Sequence, residues 1–177
     1  MTSPTVTLSA TDACSGVALT EYSLDNGATW QTYSGTITIS QEGTTTVLFR
    51  SVDRAGNVET TRSQPFMIDL SDPTVQLTAD PSTIRPPNGN ITNVTVSGTG
   101  ADAISGLAQV SYVVSDEYGA PLSIGTRSLT GNSANWVETL LVEARRNGDD
   151  LDRRVYTIVA TITDVAGRTS TSTVTVT

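Results

Sequence analysis

Histidine and lysine are both missing from this 177-residue chain. Without histidine the commonest general base and the commonest transition-metal ligand are gone. Without lysine there is no Schiff-base amine and no lysine–asparagine isopeptide crosslink. All ten cations are arginines, set against 18 acids for a net charge of −8. That balance leaves no basic footprint for nucleic acid or anionic lipid. The one cysteine, Cys14, cannot close an internal disulfide and has no histidine to make it a nucleophile. Aromatics are 5% of the residues. No apolar run approaches the roughly 18 residues of a membrane-spanning helix, so no membrane insertion is expected. Nor is there a signal-peptide pattern: Met1–Pro4 runs straight into strand-like alternation, as expected of an excised fragment with an added start codon.

What the chain has in abundance is threonine, 31 residues of it. Threonine and valine favour extended backbone, because branching at Cβ restricts χ1 and packs well on a pleated surface. No stretch sustains a 3.6-residue apolar period. "TVTLSA", "GTITIS", "TTTVLFRSV" and "VYTIVATITD" instead alternate with a period of two. The expected fold class is all-β.

The chain also repeats itself. "DACSGVAL" and "DRAGN" in the first half answer to "DAISGLAQ" and "DVAGR" in the second. Asp12, Ser15 and Gly16 align with Asp102, Ser105 and Gly106; Asp53 and Gly56 align with Asp164 and Gly167. The landmarks lie 41 residues apart in the first copy and 62 in the second, so the second copy carries longer loops or added strands. The boundary falls near "MIDLSDPTVQL", giving domains 1–70 and 71–177, each with a net charge of −4. Strands are expected near 5–10, 17–24, 29–33, 36–40, 44–53 and 57–68. In the second copy they are expected near 74–79, 91–99, 107–115, 135–144, 153–164 and 169–177. Alternation with frequent turn signals and closing hairpins points to two tandem Ig-like antiparallel β-sandwiches.

The landmarks together resemble the Ig-like repeats of large bacterial surface and secreted proteins. Those repeats commonly show D-x-x-S-G, then Y-S-x-D-G-G-x-x-W, then D-x-A-G-N. The first copy carries all three, with Asn26-Gly27 for Gly-Gly. The second lacks the middle motif and has Arg168 in place of the final asparagine. The resemblance implies a spacer, stalk or adhesion module at the cell surface or outside the cell. Its partners would be other domains of the same longer chain, with a glycan or a surface protein as the external candidates. As a fragment the chain is expected to be a monomer.

Five candidate sites need weighing. "SLDNGATW" (Ser23–Trp30) also resembles the Asp-box of sialidase propeller blades, which suggests carbohydrate chemistry. Yet an Asn-Gly pair is the preferred occupant of a tight hairpin turn. Ser23, Asp25 and Thr29 can bond the turn amides while Trp30 packs its ring beneath them, so the hairpin accounts for the pattern. Second, Asp12 or Asp102 could share a calcium ion with Asp53 or Asp164. A carboxylate three residues before Ser-Gly also suits a self-bonded turn, and the turn is the simpler account. Third, Asp149, Asp150 and Asp152 form the densest acidic cluster and are the candidate calcium ligands; calcium is the candidate cofactor. Arginines 145, 146, 153 and 154 flank them, so a solvated hairpin tip explains the cluster as well. Asp69 and Asp72 would serve if an ion stiffened the short linker. Fourth, Cys14 stands where the second copy has Ile104, which suggests a shielded position. Fifth, a carbohydrate-binding module of an extracellular enzyme needs exposed rings. Tyr22, Tyr112 and Tyr156 fall in strand patterns and should pack in cores, leaving Tyr33, Tyr118 and Trp136 for the surface. No clustered acid–base pair supports catalysis, so no enzyme is expected.

Overall fold

The computed structural model describes residues 4–118, 121–145 and 154–177, and of 121–124 the backbone. Among the described residues there is no helix; the fold is all-β, with every ladder antiparallel. The chain divides into two compact units, Met1–Leu70 and Ser71–Thr177.

The first unit contains β1 (Thr5–Val6), β2 (Val17–Ser23), β3 (Gln31–Thr32), β4 (Ile37–Thr38), β5 (Gly43–Asp53) and β6 (Arg62–Ile68). β3-β2-β5-β6 form one sheet, and β1-β4 pair as a small second one. Ile37, Ile39, Val47 and Ile68 form the buried centre, with Tyr22, Phe49 and Phe66 packed around it. Three expected strands are much shorter here. Thr5–Ala10, Thr29–Tyr33 and Thr36–Ser40 contribute only two residues each to a ladder.

The second unit contains β7 (Thr74–Asp80), β8 (Ile91–Ala101), β9 (Leu107–Asp116), β10 (Pro121–Ser128), β11 (Ser133–Glu143), β12 (Tyr156–Asp164) and β13 (Thr169–Val176). β10-β9-β12-β13 and β11-β8-β7 form its two sheets. β10 was not expected from the sequence: it is an edge strand that pairs with β9 alone. Along β12 burial alternates, so Tyr156, Ile158, Ala160, Ile162 and, at the end of the row, Asp164 all face inward. Val94 and Val96 of β8 meet Tyr156 and Ile158 in one core cluster.

Trp136 fills a second cluster with Leu107, Val110, Tyr112 and Ile162. It is 3% exposed, so it is not the surface ring expected from the sequence. Its place is made by glycines: Trp136 pairs with Gly98, and a methyl group added at Gly98 would stand inside 3.0 Å of the indole. At the chain end, the Thr177 amide donates to the Ser82 carbonyl (3.1 Å) and the Ile84 amide donates to the Thr177 carbonyl (2.7 Å). Thr177 thus lies parallel to residues 82–84, just after β7.

Candidate functional site

The repeated landmarks meet in each unit through the same backbone bond. The Arg54 amide donates to the Gly16 carbonyl at 3.0 Å, and the Val165 amide to the Gly106 carbonyl at 2.9 Å. Each bond ties a D-x-x-S-G loop to a D-x-A-G turn, which explains how landmarks 41 or 62 residues apart act together. Strand register repeats as well. Asp53 lies opposite Val17 and Asp164 opposite Leu107, each beside a one-residue irregularity in the ladder.

The first aspartate builds its own loop. Asp12 Oδ1 accepts the amides of Cys14 (3.1 Å), Ser15 (2.8 Å) and Gly16 (2.7 Å). Asp102 Oδ1 accepts those of Ile104 (3.1 Å), Ser105 (2.9 Å) and Gly106 (2.7 Å). Converging three amides on one oxygen bends the chain sharply, and Gly16 and Gly106 absorb the bend at φ 80° and 82°. The Gly16 amide is the main reason the Asp12 carboxyl sits below its ordinary range.

At the second aspartate the copies part. Asp53 Oδ1 accepts the amides of Ala55 (2.9 Å) and Asn57 (2.8 Å), and the Asn57 side-chain amide donates to Oδ2 at 2.7 Å. That side-chain bond leads the interactions holding the Asp53 carboxyl below its usual value. In the second unit Arg168 occupies the asparagine position. Its backbone amide still donates to Asp164 Oδ1 at 2.8 Å. Its guanidinium turns to Asp72, with Nε and Nη2 each 2.8 Å from Oδ1. Asp164 Oδ2 is left buried with no hydrogen-bond partner.

Burial sharpens the contrast. Asp12 is exposed and Asp53 half-buried, whereas Asp102 is 4% and Asp164 2% exposed. One carboxylate oxygen of Asp102 lies within 4.8 Å of one of Asp164. The sequence signal for this difference is the single departure from D-x-A-G-N at Arg168. Comparing the copies as motifs does not reveal that it orphans an oxygen.

The Asp-box segment is a self-bonded hairpin. Asn26 and Gly27 both take positive φ, 62° and 90°, and the Ala28 amide donates to the Asp25 carbonyl at 3.3 Å. Ser23 Oγ accepts the Gly27 amide at 2.9 Å and donates to Asp25 Oδ1 at 2.7 Å. Asp25 accepts the Thr29 hydroxyl (2.5 Å) and amide (2.9 Å), which together bring its pKa down to about 2. Trp30 is half-buried under the Arg50 guanidinium, 3.9 Å from its ring centroid.

Asp149, Asp150 and Asp152 lie outside the described residues. Of their flanking arginines, Arg154 binds Asp116 Oδ2 (2.7 Å) and Glu143 Oε2 (3.1 Å), and Arg145 is 3.9 Å from Glu143. These two therefore pair with acids outside the cluster. Cys14 is exposed, not shielded, whereas Ile104 at the matching place of the second loop is half-buried. Tyr112 and Tyr156 are buried as strand parity requires, and burial pushes the Tyr112 phenol up to about 12. Tyr33 packs half-buried against the first core, and Tyr118 is exposed.

Residues 14–70 match the family model described as a bacterial Ig-like domain. No curated protein matches the chain. Eleven solved chains match. Among them are fibronectin(III)-like modules of CbhA from Clostridium thermocellum, 16% identical, with 94% of this chain and 80% of that chain covered and a TM-score of 0.38.

Proposed function

We propose that the chain is a non-catalytic Ig-like tandem module of a cell-surface or secreted bacterial protein, acting as a spacer that joins or presents other domains of a longer chain. One observation carries this reading. The polar groups of the most conspicuous motif are spent on their own backbone: Ser23, Asp25 and Thr29 bond one another and the amides of the hairpin they belong to. The match of residues 14–70 to a bacterial Ig-like domain supports the same reading.

The carbohydrate-binding alternative loses its largest ring, since Trp136 is buried in the second core and Tyr33 leans on the first. A sugar platform needs ring faces open to solvent on one surface. The test is a glycan array, together with a panel of immobilised surface proteins, probed with the labelled chain at micromolar concentration. Uniform silence is the expected result. A saturable signal abolished by Tyr118→Ala would replace the spacer with a glycan-binding module.

A further inference from the structure

We propose that Asp102 and Asp164 of the second unit hold a calcium ion. Two carboxylates, 4% and 2% exposed, bring oxygens within 4.8 Å of each other. Buried charges are ordinarily paired, because desolvating a carboxylate is costly and like charges at this range oppose each other. Asp102 is partly compensated by three amides on Oδ1. Asp164 receives the Arg168 amide on Oδ1 only, and its Oδ2 is buried without a hydrogen-bond partner. The cation closest in sequence, Arg168, is held by Asp72 through both Nε and Nη2.

The first unit acts as an internal control. It has the same loop, the same turn and the same bridging backbone bond. There Asn57 supplies the missing donor, and Asp12 is exposed. The second unit has lost that donor while burying both acids. A divalent cation would offset the buried negative charge, and the orphaned oxygen gains a partner.

The donors select the ion. Both are carboxylate oxygens, the Ser105 hydroxyl lies 3.5 Å from Asp102 Oδ1, and the chain contains no histidine. Oxygen-only sites favour hard cations over zinc or copper. Calcium accepts six to eight oxygens in irregular arrangements, whereas magnesium demands a near-ideal octahedron. With few protein carboxylates, the affinity belongs in the range of about 10⁻⁴ to 10⁻³ M usual for extracellular modules.

The experiment is a calorimetric titration of the full, EDTA-stripped chain with calcium chloride, paired with thermal unfolding in 10 mM calcium or in EDTA. Saturable heat at one site and a raised unfolding temperature are expected. Asp164→Asn and Asp102→Asn should each weaken binding by about tenfold or more, since each removes a charged ligand. Asp53→Asn, in the first unit, should leave the titration unchanged, as should a chain with Asp149, Asp150 and Asp152 all changed to Asn. No heat and no stabilisation on the unaltered chain would overturn the proposal without recourse to any variant. Full binding by Asp164→Asn, or loss of binding in the triple variant, would overturn it equally. Circular dichroism of the variants in EDTA shows whether they keep the fold.

Discussion

Gly98→Ala offers the sharpest test of how the second core is built. The added methyl would stand inside 3.0 Å of three atoms of the Trp136 indole. The ring cannot swing aside at little cost: it is 3% exposed and packed among Leu107, Val110, Tyr112 and Ile162. Overpacking of this kind costs about 1–3 kcal/mol, and a three-atom conflict against a rigid ring belongs near 3. Against it stands only about 0.5–1 kcal/mol gained by replacing glycine within a strand. The net loss is therefore about 2 kcal/mol, or about 10 °C in unfolding temperature for a unit of roughly a hundred residues. Urea unfolding followed by far-UV circular dichroism measures it. The decisive comparison is the same substitution made with Trp136→Leu already present. Trp136→Leu alone should be strongly destabilising through the cavity it leaves. With the indole gone, the alanine methyl should then cost nothing further or recover part of the loss, a coupling of about 2 kcal/mol. If the two effects simply add, or if Gly98→Ala alone costs less than about 0.5 kcal/mol, the glycine is not there to seat the ring.

Two more outcomes concern the first unit. Asp25 has its pKa lowered from 3.8 to about 2 in the folded hairpin, so its contribution to stability is present above pH 4 and drains away as pH falls from about 4 to about 2. Asp25→Asn should flatten that segment of the pH–stability curve; an unchanged acid limb would show that the hairpin bonds do not hold in solution. Trp30→Ala removes a half-buried ring stacked under Arg50 and should lower the stability of the first unit by about 1–2 kcal/mol. Calcium titrations of that variant should match those of the unaltered chain.

Alternation and turn chemistry were enough to read the all-β fold and the self-bonded Ser23–Trp30 hairpin from the residues. What escaped depends on partners far away in sequence. "PLSIGTRS" becomes β10 only because β9 offers it an edge, and nothing local in Gly125 or Arg127 announces a strand. Trp136 looks like a surface ring in isolation, yet Gly98 and Gly100 on the paired strand clear the space it occupies. Cys14 and Ile104 share a loop with the same carboxylate bonds, yet the first is exposed and the second half-buried, so burial at this place depends on what surrounds each loop and not on the motif. Asp164 shares the inward parity of four core residues, a position that strand periodicity assigns to an apolar side chain. Its missing partner shows only when the direction of the Arg168 side chain is known.

The two bonds at Thr177 bear on how the second unit would respond to a pull on its ends. Thr177 runs parallel to residues 82–84, and the unit is bounded by Ser71 and Thr177. Tension between those ends draws the two parallel segments in opposite directions along their own axes. The bonds to Ser82 and Ile84 are then strained together in shear, instead of opening in turn like a zip. Everything C-terminal to Ile84 is held between these two points, so the sandwich can extend only after that short clasp has given way.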